Sequence, residues 1–282
     1  MSSQVHRRSG ISMIEILVAL TLLGIIGVSI LRTFTSQARF ADIQSKRTNA
    51  RAVSRAPINV LMSEARMVEA TNGVVAASAS SVTLRVPVAM GIVCGSAVGS
   101  TVVSLMPVDS VVLATAAVSG HAWRRSTGAY AYTEGATTVT AGGIAGAAIC
   151  TAASITTVTG GRIIVVTPQM HANAVPGTPA FIYQRVRFEF AASSSLPGRT
   201  GLWRTLEASG ATEELAAPYD TTTRFRFYRN SLDTSDIVVP PLTEIRGLEF
   251  SLVGASERSR YGRAKPETSR MQTAVFFMNR ID

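Results

Sequence analysis

Glu15 is the only charged residue between Ile11 and Leu31, a run of 21 residues otherwise built from Ile, Leu, Val, Ala, Met, Gly, Ser and Thr. A carboxylate at bilayer depth costs about 2.5 to 3.5 kcal/mol on insertion scales. Such an acid needs a partner, and it usually has a task. The residues just upstream, His6-Arg7-Arg8-Ser9-Gly10, suggest what the partner is. Hydrolysis of the peptide bond after Gly10 would leave an amine at Ile11, one helical turn from Glu15. That cation could meet the carboxylate of its own chain or of a neighbour, and pairing between neighbours would hold packed helices in register.

The remaining reactive side chains are few. Cys94 and Cys150 are the only cysteines. In an oxidising compartment a bridge between them would stabilise by about 4 kcal/mol through chain entropy; two separate buried thiols are the other reading. The histidines are His6, His121 and His171, too dispersed in sequence to mark a catalytic constellation. Neither a Gly-x-Ser-x-Gly elbow, a His-Glu-x-x-His helix nor a Gly-x-x-x-x-Gly-Lys phosphate loop occurs, and Gly142-Gly143-Ile144-Ala145-Gly146 has no following lysine and reads as a flexible turn. Asp233 with Asp236, and Glu213 with Glu214, read as solvated loop acids rather than calcium ligands. No metal, cofactor or catalytic role is expected. Trp123, Trp203, Tyr130 and Tyr132 are either a contact surface or buried strand aromatics.

The element that must carry Glu15 is a helix. Twenty-one residues at 1.5 Å rise give about 30 Å, the hydrocarbon thickness of a bilayer. Arg7 and Arg8 keep the N-terminus cytoplasmic, which puts everything after Leu31 outside, although Arg32 and Arg39 weaken that bias. Two further readings of the same residues are a removable secretory signal cut at Ser36-Gln37-Ala38 and a twin-arginine signal at Arg7-Arg8. Against the first stand the long apolar stretch, its acid and Arg32; the second lacks the rest of its pattern.

Arg8-Ser9-Gly10 followed by Ile11-Ser12-Met13-Ile14-Glu15-Ile16-Leu17-Val18-Ala19-Leu20 resembles the prepilin cleavage and methylation motif of the type IV pilin and type II secretion pseudopilin superfamily. The resemblance implies that residues 1–10 are a leader removed by prepilin peptidase between Gly10 and Ile11, that the new amine is methylated, and that Glu15 attracts a neighbouring subunit during assembly. Ile11 stands where phenylalanine is commonest, and Ser9 separates the arginines from the glycine. Shorter runs, Leu61-Met62-Ser63-Glu64-Ala65-Arg66, Gly201-Leu202-Trp203-Arg204, Pro241-Leu242-Thr243-Glu244-Ile245 and Val275-Phe276-Phe277-Met278-Asn279-Arg280, are similar to those of the large minor pilins of the PilW kind and the J group of pseudopilins. The expected architecture is α+β and pilin-like: a long N-terminal helix, membrane-spanning in its first half, packed on an antiparallel sheet. Other minor pilins or pseudopilins, the major pilin and inner-membrane lipid are the implied partners, first in the inner membrane with the C-terminal domain in the periplasm, then in a pilus or pseudopilus.

The rest of the chain fits that plan. Residues 11–31 form the span and 32–70 an amphipathic continuation, in which Phe34, Ala38, Ala41, Ala52, Val60, Leu61, Ala65 and Val68 alternate with polar residues. Pro57 predicts a kink or break near Ala56. Residues 71–282 read as a β-rich domain, with strands at Ser81 to Pro87, Arg162 to Pro168, Phe181 to Phe190, Leu202 to Leu206, Thr223 to Tyr228, Ile245 to Leu252 and Thr273 to Met278. Residues 89 to about 160 carry only Asp109, Arg124, Arg125 and Glu134 as charges and read as an inserted lobe. Of 27 basic residues only Lys46 and Lys265 are lysines, which leaves 25 arginines and a net charge of +9. These arginines are scattered, so nucleic acid is not an expected partner. A different class of protein, a monomeric anchored periplasmic binding protein or adhesin, would use the same helix only as a tether.

Overall fold

The computed structural model describes residues 12–229, 234–259 and 264–277 of the 282-residue chain. Within them lie one long helix with a short continuation, α1 (Met13–Arg55) and α2 (Ile58–Arg66), and a 13-stranded sheet. The elements that follow are β1 (Val74–Ala77), β2 (Ser81–Ala97), β3 (Ser100–Leu105), α3 (Pro107–Leu113), β4 (Gly120–Arg124), β5 (Tyr130–Glu134), β6 (Thr138–Ala141), α4 (Gly143–Ala152) and β7 (Arg162–Thr167). The chain then adds β8 (Pro179–Ala192), β9 (Thr200–Leu206), β10 (Ala211–Tyr219), β11 (Arg224–Arg229), β12 (Ile245–Ser259) and β13 (Pro266–Phe276). All strand pairs are antiparallel.

Pro57 acts as its chemistry requires. Helical bonding runs up to Ala56, whose N–H reaches Ala52 O at 2.9 Å, and resumes with Leu61 N–H to Pro57 O at 2.9 Å. The helix is therefore interrupted at the residue that has no amide to donate and then carries on. The buried stripe along it is Ala50, Ser54, Pro57, Leu61, Ala65 and Val68, a helical spacing. Phe34, Ala38, Ala41 and Ala52, expected on the packed face, are exposed; the docked segment starts only at half-buried Ile43.

What the helix docks on is β12 and β13. Gly254 on β12 lies directly beneath the helix backbone, where a Cβ would strike Ala50 O and Ser54 N. The Tyr219 hydroxyl donates to Val53 O at 2.9 Å, and Lys46 Nζ to Ser259 O at 3.0 Å. Beneath α2 the principal core joins Leu61, Ala65 and Val68 to Leu84, Val186, Phe188, Phe225, Phe227, Leu248, Phe250 and Leu252.

Two long strands organise the rest. β2 pairs with β8 from Ser81↔Glu189 to Ile92↔Pro179, with Val88 as an extra residue between Pro87↔Tyr183 and Ala89↔Ile182. Such a bulge bends a strand. On either side of it the outer partners change: β2 passes from β1 to β3, and β8 from β9 to β4. One half-sheet covers the helix, while the other encloses a second core of Ala89, Val93, Val103, Leu105, Trp123, Ile164, Val166, Met170, Ala180 and Ile182. The lobe thus runs past 160. Arg162–Thr167 forms β7 between β3 and β6, inside the lobe, and the chain rejoins the main half only along β8.

Candidate functional site

The apolar segment stands clear of the folded domain. Met13, Ile14, Leu17, Leu20, Leu23, Ile26 and Leu31 all have more than half of their surface exposed, although they point in every direction around the helix. None of the most apolar 18-residue window is buried, and this is one helix long and apolar enough to cross a membrane. From Met13 to the start of the docked part at Ile43 the free helix is about 45 Å long. Nothing among the described residues of the domain covers it. A soluble core helix of this composition would be enclosed by its own sheet; this exposed segment is compatible with a membrane span.

Glu15 sits in the first turn of this helix. Its Oε2 accepts the Ser12 N–H at 3.2 Å, and its own N–H reaches Ser12 O at 3.0 Å. This is half of a capping box, with the carboxylate folded back on the helix N-terminus where the dipole favours negative charge. Gly10 and Ile11, expected as the cleavage and methylation site, lie outside the described residues, as do His6, Arg7, Arg8, Asp233 and the Met278-Asn279-Arg280 end of the last family-like run.

Cys94 and Cys150 are bonded to each other, with Cα atoms 4.6 Å apart. Cys94 is on β2 and Cys150 in α4, so the bridge pins that helix to the sheet. Here the sequence reading needs correction: Gly142-Gly143-Ile144-Ala145-Gly146 is not a flexible turn but the first turns of α4. Gly142 and Gly146 pack closely on the Ile163 side chain, which a Cβ at Gly142 would strike.

The described members of the acid pairs, Glu213, Glu214 and Asp236, are already engaged. Glu213 Oε1 receives Arg204 Nη1 at 3.0 Å, Glu214 Oε2 accepts the Ser194 hydroxyl at 2.8 Å, and Asp236 Oδ1 accepts the Ile237 amide at 2.6 Å. No group of three or more His, Cys, Asp or Glu side chains comes together among the described residues. The aromatics divide between the halves. Trp203 is on β9, its indole N–H bonded to Ala192 O at 3.1 Å, while Tyr130 and Tyr132 pack edge-on or tilted against Phe181.

One polar cluster escaped the sequence reading. Glu69, buried just after α2, accepts the Thr71 and Asn72 amides at 2.9 and 2.8 Å and the Tyr132 hydroxyl at 3.2 Å. Arg85 lies over the Tyr132 ring, 4.7 Å from its centre, and donates to Asn72 O. Burial, with the Glu69 carboxylate alongside, holds the Tyr132 phenol well above its ordinary range. The cluster fastens the β4–β5 hairpin to the end of the long helix. Its members lie up to 63 positions apart, so no local spacing marks them. No protein-family model, curated protein or solved structure matches this chain.

Proposed function

We propose that the protein is a minor pilin or pseudopilin, a structural subunit that joins or primes a type IV pilus or a type II secretion pseudopilus. The observation that carries this reading is the free apolar helix, bare on all sides, with one carboxylate in its first turn and a docked continuation that fixes it to an antiparallel sheet. A mere tether has no need of an acid at its mouth, whereas a helix that packs among copies of itself uses one to set register. Prepilin peptidase would cut after Gly10 on the cytoplasmic side. The amine at Ile11 would then lie one residue from the Ser12 amide that Glu15 already binds, and a neighbour's amine could replace that contact. Apolar packing of residues 11–31 supplies cohesion, and the Glu15 pairing supplies alignment.

The test is mass spectrometry of the protein's N-terminus in cells with and without prepilin peptidase. A mature chain starting at N-methylated Ile11 only when the peptidase is present is the expected result. An intact Met1, or a cut near Ala38, sinks the proposal and leaves an anchored monomeric binding protein as the better account.

A further inference from the structure

We infer that the lobe carries a binding cleft for an acidic saccharide, lined by Trp123, Arg125, Ser126, Thr127, His171 and Asn173. The cleft measures about 760 Å³ and opens between the turn of the β4–β5 hairpin and the loop that joins β7 to β8. Its floor is buried Trp123, with the exposed His171 ring lying nearly parallel to it, 10° between planes and 6.1 Å between centres. The Asn173 N–H donates to His171 Nδ1 at 3.2 Å. That contact fixes the ring's orientation and puts the imidazole proton on Nε2, where it can serve a ligand hydroxyl.

The rim is supplied by a tight turn. The Arg125 N–H bonds Ala129 O at 2.8 Å and the Gly128 N–H bonds Arg125 O at 2.9 Å, which sets Arg125, Ser126 and Thr127 together at the mouth. The side chains of Arg125, Ser126, Thr127 and Asn173 have no hydrogen-bond or ion-pair partner among the described residues. Solvent-facing polar groups are ordinary by themselves. Their location is not, because residues 89–160 contain only four charged side chains. Asp109 is already bonded to the Met90 amide at 2.9 Å, and Arg124 and Arg125 both stand at this hairpin. Of the lobe's three arginines, Arg124, Arg125 and Arg162, two stand beside its Trp–His stack.

The chemistry of the lining selects the ligand. The exposed His171 ring, backed by Trp123, takes the C–H face of a sugar ring, hydroxyl and amide side chains take its hydroxyls, and a guanidinium takes a carboxylate in two parallel hydrogen bonds. A uronic acid residue presents all three features in one unit. A nucleic acid strand would need a track of cations along its backbone, which a single hairpin does not provide.

The experiment uses the full-length chain carrying Trp203→Phe, so that Trp123 is the only indole, in micelles of a detergent with no sugar headgroup. Galacturonate oligomers, glucose and thymidylate are titrated against Trp123 fluorescence. Saturable binding of the oligomers is expected, with glucose at least about tenfold weaker, and an equivalent loss in Arg125→Gln at unchanged thermal stability. Asn173→Ala, which keeps the backbone contact to His171, should also weaken binding. No saturable response at tens of millimolar, equal affinity for glucose, full affinity in Arg125→Gln, or tighter binding of thymidylate would each overturn the inference.

Discussion

Arg204 on β9 grips Glu64 on α2 across 140 positions of chain, with Nε at 3.0 Å and Nη2 at 2.6 Å from the same carboxylate oxygen. The second oxygen, Oε2, is buried without a partner among the described residues. Burial therefore pushes the Glu64 carboxyl above its ordinary value of 4.5 despite the guanidinium, which pulls the other way. Replacing Arg204 by Gln strands that carboxylate. The expected cost is about 3 kcal/mol, the low end for a broken buried pair, because both side chains keep some exposure. The sign of the pH dependence follows. A raised carboxyl contributes stability below its unfolded pKa and loses it as pH rises through the folded value. The Arg204→Gln deficit, read by urea unfolding, should shrink as pH falls from neutral toward about 4.5 and stay level below it; a deficit that grows in acid would contradict this account.

His121 gives the opposite slope. It is fully buried on β4, its Nε2 has no partner among the described residues, and desolvation pushes the imidazole down to about 4. The unfolded chain takes up the proton near pH 6.5. Stability from this site is thus complete above about 6.5 and is lost as pH falls toward 4, a drop of up to about 3 kcal/mol. His121→Leu should flatten the unfolding midpoint against pH across that window. A wild-type-like slope in the variant would move the effect to another group.

Residues that follow local rules were readable from sequence. Pro57 had to interrupt the helix, Glu15 was the one charge in its stretch, and β-branched runs such as Arg162–Thr167 became strands. β10 was missed because Ala211, Glu213, Glu214, Leu215 and Ala216 favour helix in isolation; pairing with β9 overrides that preference. α4 was misread because glycine signals freedom, whereas here it allows close packing on Ile163. The cleft at Trp123 was invisible for a different reason. His171 reaches Trp123 only because β4 and the β7–β8 loop are neighbours in three dimensions.

The Cys94–Cys150 bridge closes a loop of 56 positions. In the chain-entropy model this is worth about 4 kcal/mol. α4 has only a small core of its own, in which the two cysteines and Val102 are the buried members. Reduction, or the double change Cys94→Ser and Cys150→Ser, should release α4 first. Hydrogen exchange should speed up across Gly143–Ala152 and leave β8 and β9 protected; uniform loss of protection would mean the bridge supports the whole domain.

At Gly254 the sheet lies directly against the helix backbone. A Cβ there would meet helix backbone, which cannot rotate away as a side chain can. Gly254→Ala should therefore destabilise by about 1 to 3 kcal/mol. The effect should be local as well, with tryptic cleavage at Arg47, Arg51 and Arg55 faster than in the parent. Unchanged cleavage would show that the sheet yields instead of the helix.

In the proposed mechanism Glu15 acts in assembly and not in processing. Its carboxylate touches Ser12 and nothing in the β domain, so Glu15→Ala should leave the unfolding transition of that domain unchanged. Peptidase recognition rests on the glycine and the basic leader in the proposed mechanism, so the variant should still be cut after Gly10. What it loses is the partner for a neighbour's amine. Subunits would then pack through apolar contacts alone, without a charge to fix their axial position, and filaments should fail to incorporate the variant. Cell fractionation reads this directly: a mature Glu15→Ala chain confined to the membrane fraction, and absent from sheared filaments, is the expected outcome. Normal incorporation would mean that register is set elsewhere along the helix.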